Sequence, residues 1–126
     1  EGVKIIIGDQ GNATFWTEAL KTLPKFDIVI DDGGHRMKQL KVTFDHLYEH
    51  VKANGGIYLV EDLHTAYWHT EYSGGYKRPG TFIEYTKDLI DQLNADHSRD
   101  KNFIVTNFTR CTQSMHVYDS IVVFEK

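Results

Sequence analysis

Three apolar, β-branched runs, Val3–Ile7, Phe26–Ile30 and Ile57–Val60, set the rhythm of the chain and predict strands buried on both faces. Between the first two, Trp16, Ala19, Leu20 and Leu23 recur at helical spacing, with Asn12 or Thr14 as the cap and Pro24 as the stop. Between the second and third, Met37, Leu40, Phe44, Leu47 and Val51 mark one face of a helix. Lys38, Lys41, Asp45 and Glu49 mark the other, and Asn54-Gly55-Gly56 ends it. Leu63 to Gly80 carries no period and reads as mainly loop. Ile83, Thr86, Leu89, Ile90 and Leu93 predict a further helix. Phe103–Phe108, Ser114–Tyr118 and Ile121–Glu125 read as strands, the last two joined into a hairpin by Asp119-Ser120. Alternating strands and helices predict an α/β fold with a mostly parallel sheet covered on both faces and closed by an antiparallel hairpin.

Composition narrows the class. The 126 residues carry a net charge of −4 and are 40% hydrophobic, the balance of an ordinary globular domain. That acidity argues against a nucleic-acid partner, which requires a basic face. No apolar run approaches the ~20 residues that span a bilayer. Cys111 is the single cysteine, so no internal disulfide or Cys-rich zinc site is available, and no secretory signal is visible. A cytoplasmic location is expected.

The unusual polar residues gather where the strands end. In an open parallel sheet, ligands bind outside the carboxyl ends of the strands. There the first run delivers Asp9, the second Asp31 and Asp32, and the third Glu61 and Asp62. Carboxylates converging from neighbouring strands repel each other, so they share a proton or hold a cation; oxygen ligands without thiolates favour Mg²⁺, Mn²⁺ or Ca²⁺. The plainer reading is that each acid caps the helix that follows. His35, beyond Gly33-Gly34, stands close enough in sequence to reach the same cleft, and imidazole is the side chain that exchanges protons near neutrality. His46 and His50 read as helix surface, His64 and His69 as loop residues able to line a pocket, and His97 and His116 carry no signal. Tyr67, Trp68, Tyr72 and Tyr76 crowd a glycine-containing loop, either as flat surface for a sugar or polyketide or as self-packing of the loop.

Asp31-Asp32-Gly33-Gly34-His35, Gly55-Gly56-Ile57-Tyr58, Glu61-Asp62-Leu63-His64-Thr65 and Tyr118-Asp119-Ser120-Ile121-Val122-Val123 together resemble the metal-dependent class I S-adenosylmethionine methyltransferases. The resemblance is nearest to those acting on sugar hydroxyls of macrolide antibiotics, the mycinamicin and macrocin O-methyltransferases. It implies a Rossmann-like methyltransferase sheet with S-adenosylmethionine and Mg²⁺ or Mn²⁺ as cofactors. It further implies Asp32, Glu61 and Asp62 as metal ligands and His35 as catalytic base. Asp9 and Gln10 fall at the adenine end of the cofactor and Asp31 near its methionine portion. His64, Tyr67 and Trp68 are the residues expected to meet the acceptor, a small molecule bearing a sugar or natural-product hydroxyl.

Measured against that family, the sequence lacks the first two strands and their glycine-rich turn. Residues 1–126 are therefore expected to be the C-terminal portion of a single methyltransferase domain, with Val3–Ile7 left to re-pair or to exchange with a second copy in a homo-oligomer. Two alternatives stand beside this reading. One is a cephalosporin-hydroxylase-like enzyme of the same fold; the other is a non-catalytic remnant that retains the fold and a metal.

Overall fold

The computed structural model describes residues 2–126. Its first element is helix α1 (Ala13–Ala19), whose N-cap Asn12 accepts hydrogen bonds from the amides of Thr14 and Phe15. Strand β1 (Ile28–Asp31), helix α2 (Met37–His50) and strand β2 (Ile57–Val60) follow, and then a short 3-10 turn over Leu63–Tyr67. Helix α3 (Phe82–Leu93) begins at Thr81, whose side chain caps Glu84. Helix α4 (Asn107–Cys111) leads into the closing strands β3 (Ser114–Tyr118) and β4 (Ile121–Glu125).

The four strands lie in the order β1-β2-β4-β3. β1 and β2 run parallel from Ile28↔Ile57 to Asp31↔Val60, and β4 pairs antiparallel with both β2 and β3. The expected hairpin is present, with Tyr118↔Ile121 closing a two-residue turn over Asp119 and a left-handed Ser120 (φ 60°). Alternate residues of the sheet face the core. Tyr58, Val60, Val122 and Phe124 are buried there under Leu40, Phe44 and Tyr48 of α2. The Phe44 ring is the hub, stacked on Tyr48 at 4.8 Å and packed edge-on against Tyr58 at 5.1 Å.

Three expectations need correction. Val3–Ile7 is not a strand: Val3, Ile5 and Ile7 are 92%, 81% and 92% exposed and no strand pairs with them among the described residues. Strand structure depends on a ladder as well as on β-branched side chains, and Lys4 interrupts the apolar run. The sheet keeps the expected parallel pair and closing antiparallel strands, but among the described residues it is not covered on both faces. Ile28 and Ile30 are 60% and 62% exposed while Val29 and Asp31 point inward. Phe103–Phe108 is not a strand either. A capping box between Thr106 and Thr109 starts α4 in its second half.

Candidate active site

The parallel register of β1 and β2 ends at Asp31↔Val60, so the two strands release Asp32 and Glu61-Asp62 side by side at one edge of the sheet. Asp32, His35 and Asp62 converge there, with one ligand-capable atom from each lying within 4.8 Å of the others. His35 Nε2 stands 3.7 Å from Asp32 Oδ1 and 3.6 Å from Asp62 Oδ2. The imidazole is the covered member of the group, 19% exposed against 61% and 50% for the two carboxylates. His64 Nδ1 flanks Asp62 at 3.9 Å.

Glu61 is not part of this cluster, contrary to the expectation that it joins Asp32 and Asp62. Consecutive residues leaving a strand point to opposite sides. The amide of Glu61 continues the ladder by donating to the Asp31 carbonyl, whereas Asp62 turns away with φ 54°. His35 is also left-handed (φ 53°). Two non-glycine residues in this sparsely populated region, both contributing to one cluster, mark a place where packing overrides local preference. Thr65 supplies part of that packing, its buried hydroxyl lying 3.0 Å from the His35 carbonyl and 2.9 Å from the Asp62 carbonyl. In the sequence Thr65 stands out only as the last residue of the Glu61–Thr65 motif, with no role assigned to it.

Gly33 and Gly34 serve close packing rather than a left-handed turn. Neither has positive φ; a Cβ on Gly33 would strike the Gln10 amide and one on Gly34 the Gln39 amide. Close approach of two glutamine side chains is what excludes a larger residue.

Asp31 and Gln10, expected at the cofactor, turn their polar atoms largely inward. Asp31 is buried, accepts from Tyr58 Oη at 2.9 Å and from Gln10 Nε2 at 3.1 Å, and its pKa is raised because burial outweighs those two donors. Tyr58, also buried and facing Asp31, is held well above the usual phenol range and remains the donor. Gln10, Asp31 and Asp32 nevertheless share a shallow cavity of about 250 Å³ beside Trp16 and Thr43. Asp9 is exposed, and its carboxylate accepts from the Gly11 amide at 2.8 Å.

Of the residues expected to meet an acceptor, His64 and Tyr67 line a larger cavity of about 460 Å³, closed by Ile83 and Ile90 of α3 and by the tip of the β3–β4 hairpin. Trp68 lies outside that lining, edge-on to His64 at 4.9 Å and to Tyr72 at 5.4 Å. The sequence marks the hairpin tip as a turn and as part of the Tyr118–Val123 motif, but not as the wall of a cavity.

The donor set suits a hard divalent cation. Among the described residues, Asp32 and Asp62 have no lysine or arginine within ion-pair distance, only the imidazoles of His35 and His64. Two converging carboxylates are the donor type that a hard divalent cation takes, and their exposure leaves room for water and a ligand oxygen beside it. His35 Nδ1 is buried without a hydrogen-bond partner, so only Nε2 faces the carboxylates.

No family model matches the chain. Across 98% of its length the chain is 35% identical to the mycinamicin VI 2''-O-methyltransferase of Micromonospora griseorubida, covering 32% of that protein. It is 33% identical to the demethylmacrocin O-methyltransferase of Streptomyces fradiae, again over 98% of this chain and 32% of the relative. The structure superposes on the MycE methyltransferase of the mycinamycin biosynthetic pathway, in complex with Mg, SAH and mycinamycin VI, with a TM-score of 0.84. The identity there is 34%, over 96% of this chain and 31% of that one. The chain thus spans about a third of the length of the relatives it matches. Its fold, its closing antiparallel strands and its sequence make it a homologue of the macrolide-sugar O-methyltransferases over that third.

Proposed function

We propose that residues 1–126 form the C-terminal portion of a single O-methyltransferase domain that uses S-adenosylmethionine and Mg²⁺ or Mn²⁺ to methylate a hydroxyl of a sugar or natural product. The observation that carries the reading is the convergence of Asp32, His35 and Asp62 at the ends of two parallel strands, in a homologue of enzymes named for this chemistry. The similarity does not favour the cephalosporin-hydroxylase-like alternative.

In this reading Asp32 and Asp62 would hold the cation, and Glu61, beside Asp62 in sequence, is the further ligand that the resemblance implies. When bound, S-adenosylmethionine supplies the methyl group and the divalent ion lowers the pKa of the acceptor hydroxyl. His35 Nε2 accepts the hydroxyl proton, aimed by the left-handed backbone that Thr65 braces. Asp9, Gln10 and Asp31 belong to the cofactor side, where the shallow cavity next to Asp32 lies. His64, Tyr67 and Trp68 present flat surfaces with polar tips to the acceptor, as sugar rings require. No helix among the described residues is long and apolar enough to cross a membrane, and the lone Cys111 suits a reducing cytoplasm. Exposed Ile28 and Ile30 support assembly with further chain or a second copy.

The test is transfer of labelled methyl from S-adenosylmethionine to a glycosylated macrolide in the presence of Mg²⁺. Loss of a positioned base lowers the rate by ~10²–10⁴, so His35→Ala is expected to fall by that factor. Transfer by His35→Ala at the unaltered rate removes the proposed base.

A further inference from the structure

Gln10 makes more polar contacts with the rest of the chain than a cofactor-facing side chain would. Its Oε1 accepts from the Gly34 amide at 2.5 Å, while its Nε2 donates to Asp31 Oδ1 and to Thr43 Oγ1, each at 3.1 Å. The carbonyl of the same residue accepts from Trp16 Nε1 at 2.9 Å and from Thr43 Oγ1 at 3.2 Å. Both amide hydrogens and the amide oxygen are therefore engaged inside the protein. The Gly34 amide that it receives is the one preceding His35, in an otherwise exposed turn. Gly33 lies so close to the Gln10 amide that no Cβ fits between them.

We propose that Gln10 is a positioning residue: its carboxamide ties the Asp9–Gly11 loop to the Gly33–His35 turn and so fixes where the His35 imidazole stands. This rests on the reading of His35 as base and revises the part of it that sets the Gln10 side chain against a nucleoside. The carboxamide is a rigid link between two loops. Asp31 anchors its nitrogen from the core side, being itself held by Tyr58. Thr43 on α2 fixes both ends of the residue, donating to its carbonyl and accepting from its amide. A ligand that orders the 9–11 loop thereby orders the base, and loss of the link leaves the loop intact but frees the turn.

Two variants separate this role from a contact to the cofactor. Gln10→Met keeps the length and removes the polar atoms; Gln10→Glu combined with Asp31→Asn keeps an acceptor for Gly34 and exchanges donor and acceptor across the contact with residue 31. Amide hydrogen exchange is read on the chain itself. Gly34 is expected to exchange about tenfold faster in Gln10→Met, the factor that one net hydrogen bond corresponds to. The β2 amides of Tyr58 and Val60 keep their rates, and the Gln10→Glu/Asp31→Asn pair restores the protection of Gly34. In methyl transfer, Gln10→Met lowers kcat with KM for S-adenosylmethionine unchanged. The proposal is overturned if Gly34 exchange is the same in both variants and the parent. It is overturned equally if the β2 amides lose protection along with Gly34, or if KM rises at unchanged kcat, which would make Gln10 a cofactor contact. Absence of methyl transfer by the parent chain would instead count against the proposed reaction, and the exchange result would still decide the tether.

Discussion

The buried hydroxyl of Thr65 donates to the carbonyl oxygen of His35 at 3.0 Å, joining the turn after β1 to the turn after β2. The Thr65 hydroxyl oxygen also lies 2.9 Å from the Asp62 carbonyl, so one side chain touches the backbones of both left-handed members of the cluster. Thr65→Val preserves shape and removes the hydroxyl. Losing a buried hydrogen bond of this kind costs about 1–2 kcal/mol, to be read as a lower urea midpoint at unchanged slope. An unchanged midpoint would mean that the hydroxyl braces nothing.

The backbone of His35 provides a second check. A residue with a Cβ at φ 53° carries strain that glycine does not. Both His35→Ala and His35→Gly remove the imidazole, but the glycine variant is expected to be the more stable by about 1 kcal/mol. Equilibrium unfolding of the pair decides it, and the opposite ranking would show that the left-handed turn is unstrained. Both variants should lose transfer by the same ~10²–10⁴-fold factor, which places the cost of the geometry with function.

Tyr58→Phe tests the buried support beneath the site. It deletes the donor to Asp31 Oδ2 at 2.9 Å while leaving the ring packed against Phe44. The expected loss is about 1–3 kcal/mol, the cost of leaving a buried acceptor short of a partner. Thermal and urea unfolding at neutral pH measure it; stability equal to the parent would show that Gln10 alone satisfies Asp31.

Much of this organisation is legible in the sequence, for reasons that differ element by element. The stripe Leu40, Phe44 and Leu47 finds α2 because burial and period agree, and Asp119-Ser120 finds the hairpin because a two-residue turn needs a residue able to adopt positive φ. Val3–Ile7 misleads because strand structure depends on a neighbour that no local pattern reports. At the site, strand-end position locates Asp32, His35 and Asp62 but cannot separate Glu61 from Asp62. That separation comes from a single left-handed residue after β2. The inward turn of Gln10 and Asp31 is a matter of tertiary partners, Tyr58, Thr43 and Gly34, which lie far from them along the chain.

The hairpin gives a pH dependence with a definite sign. Glu125 has its pKa lowered, chiefly by the Ser114 hydroxyl donating at 2.6 Å and then by His116. A carboxylate lowered in the folded state adds stability above its unfolded value of about 4.3, and that stability fades as pH falls through the folded value. Ser114→Ala should therefore lie further below the parent at about pH 6 than in strong acid, where Glu125 is protonated in both. Urea midpoints across that range are the measurement, and a constant gap would exclude the linkage.

The central claim is that Asp32 and Asp62 form a divalent-cation site beside His35, and calorimetric titration of the chain with Mn²⁺ tests it most directly. One binding event per chain is predicted, abolished in Asp32→Asn and in Asp62→Asn and retained in His35→Ala. Heats that are absent in the parent, or unchanged when either aspartate is replaced, would contradict it.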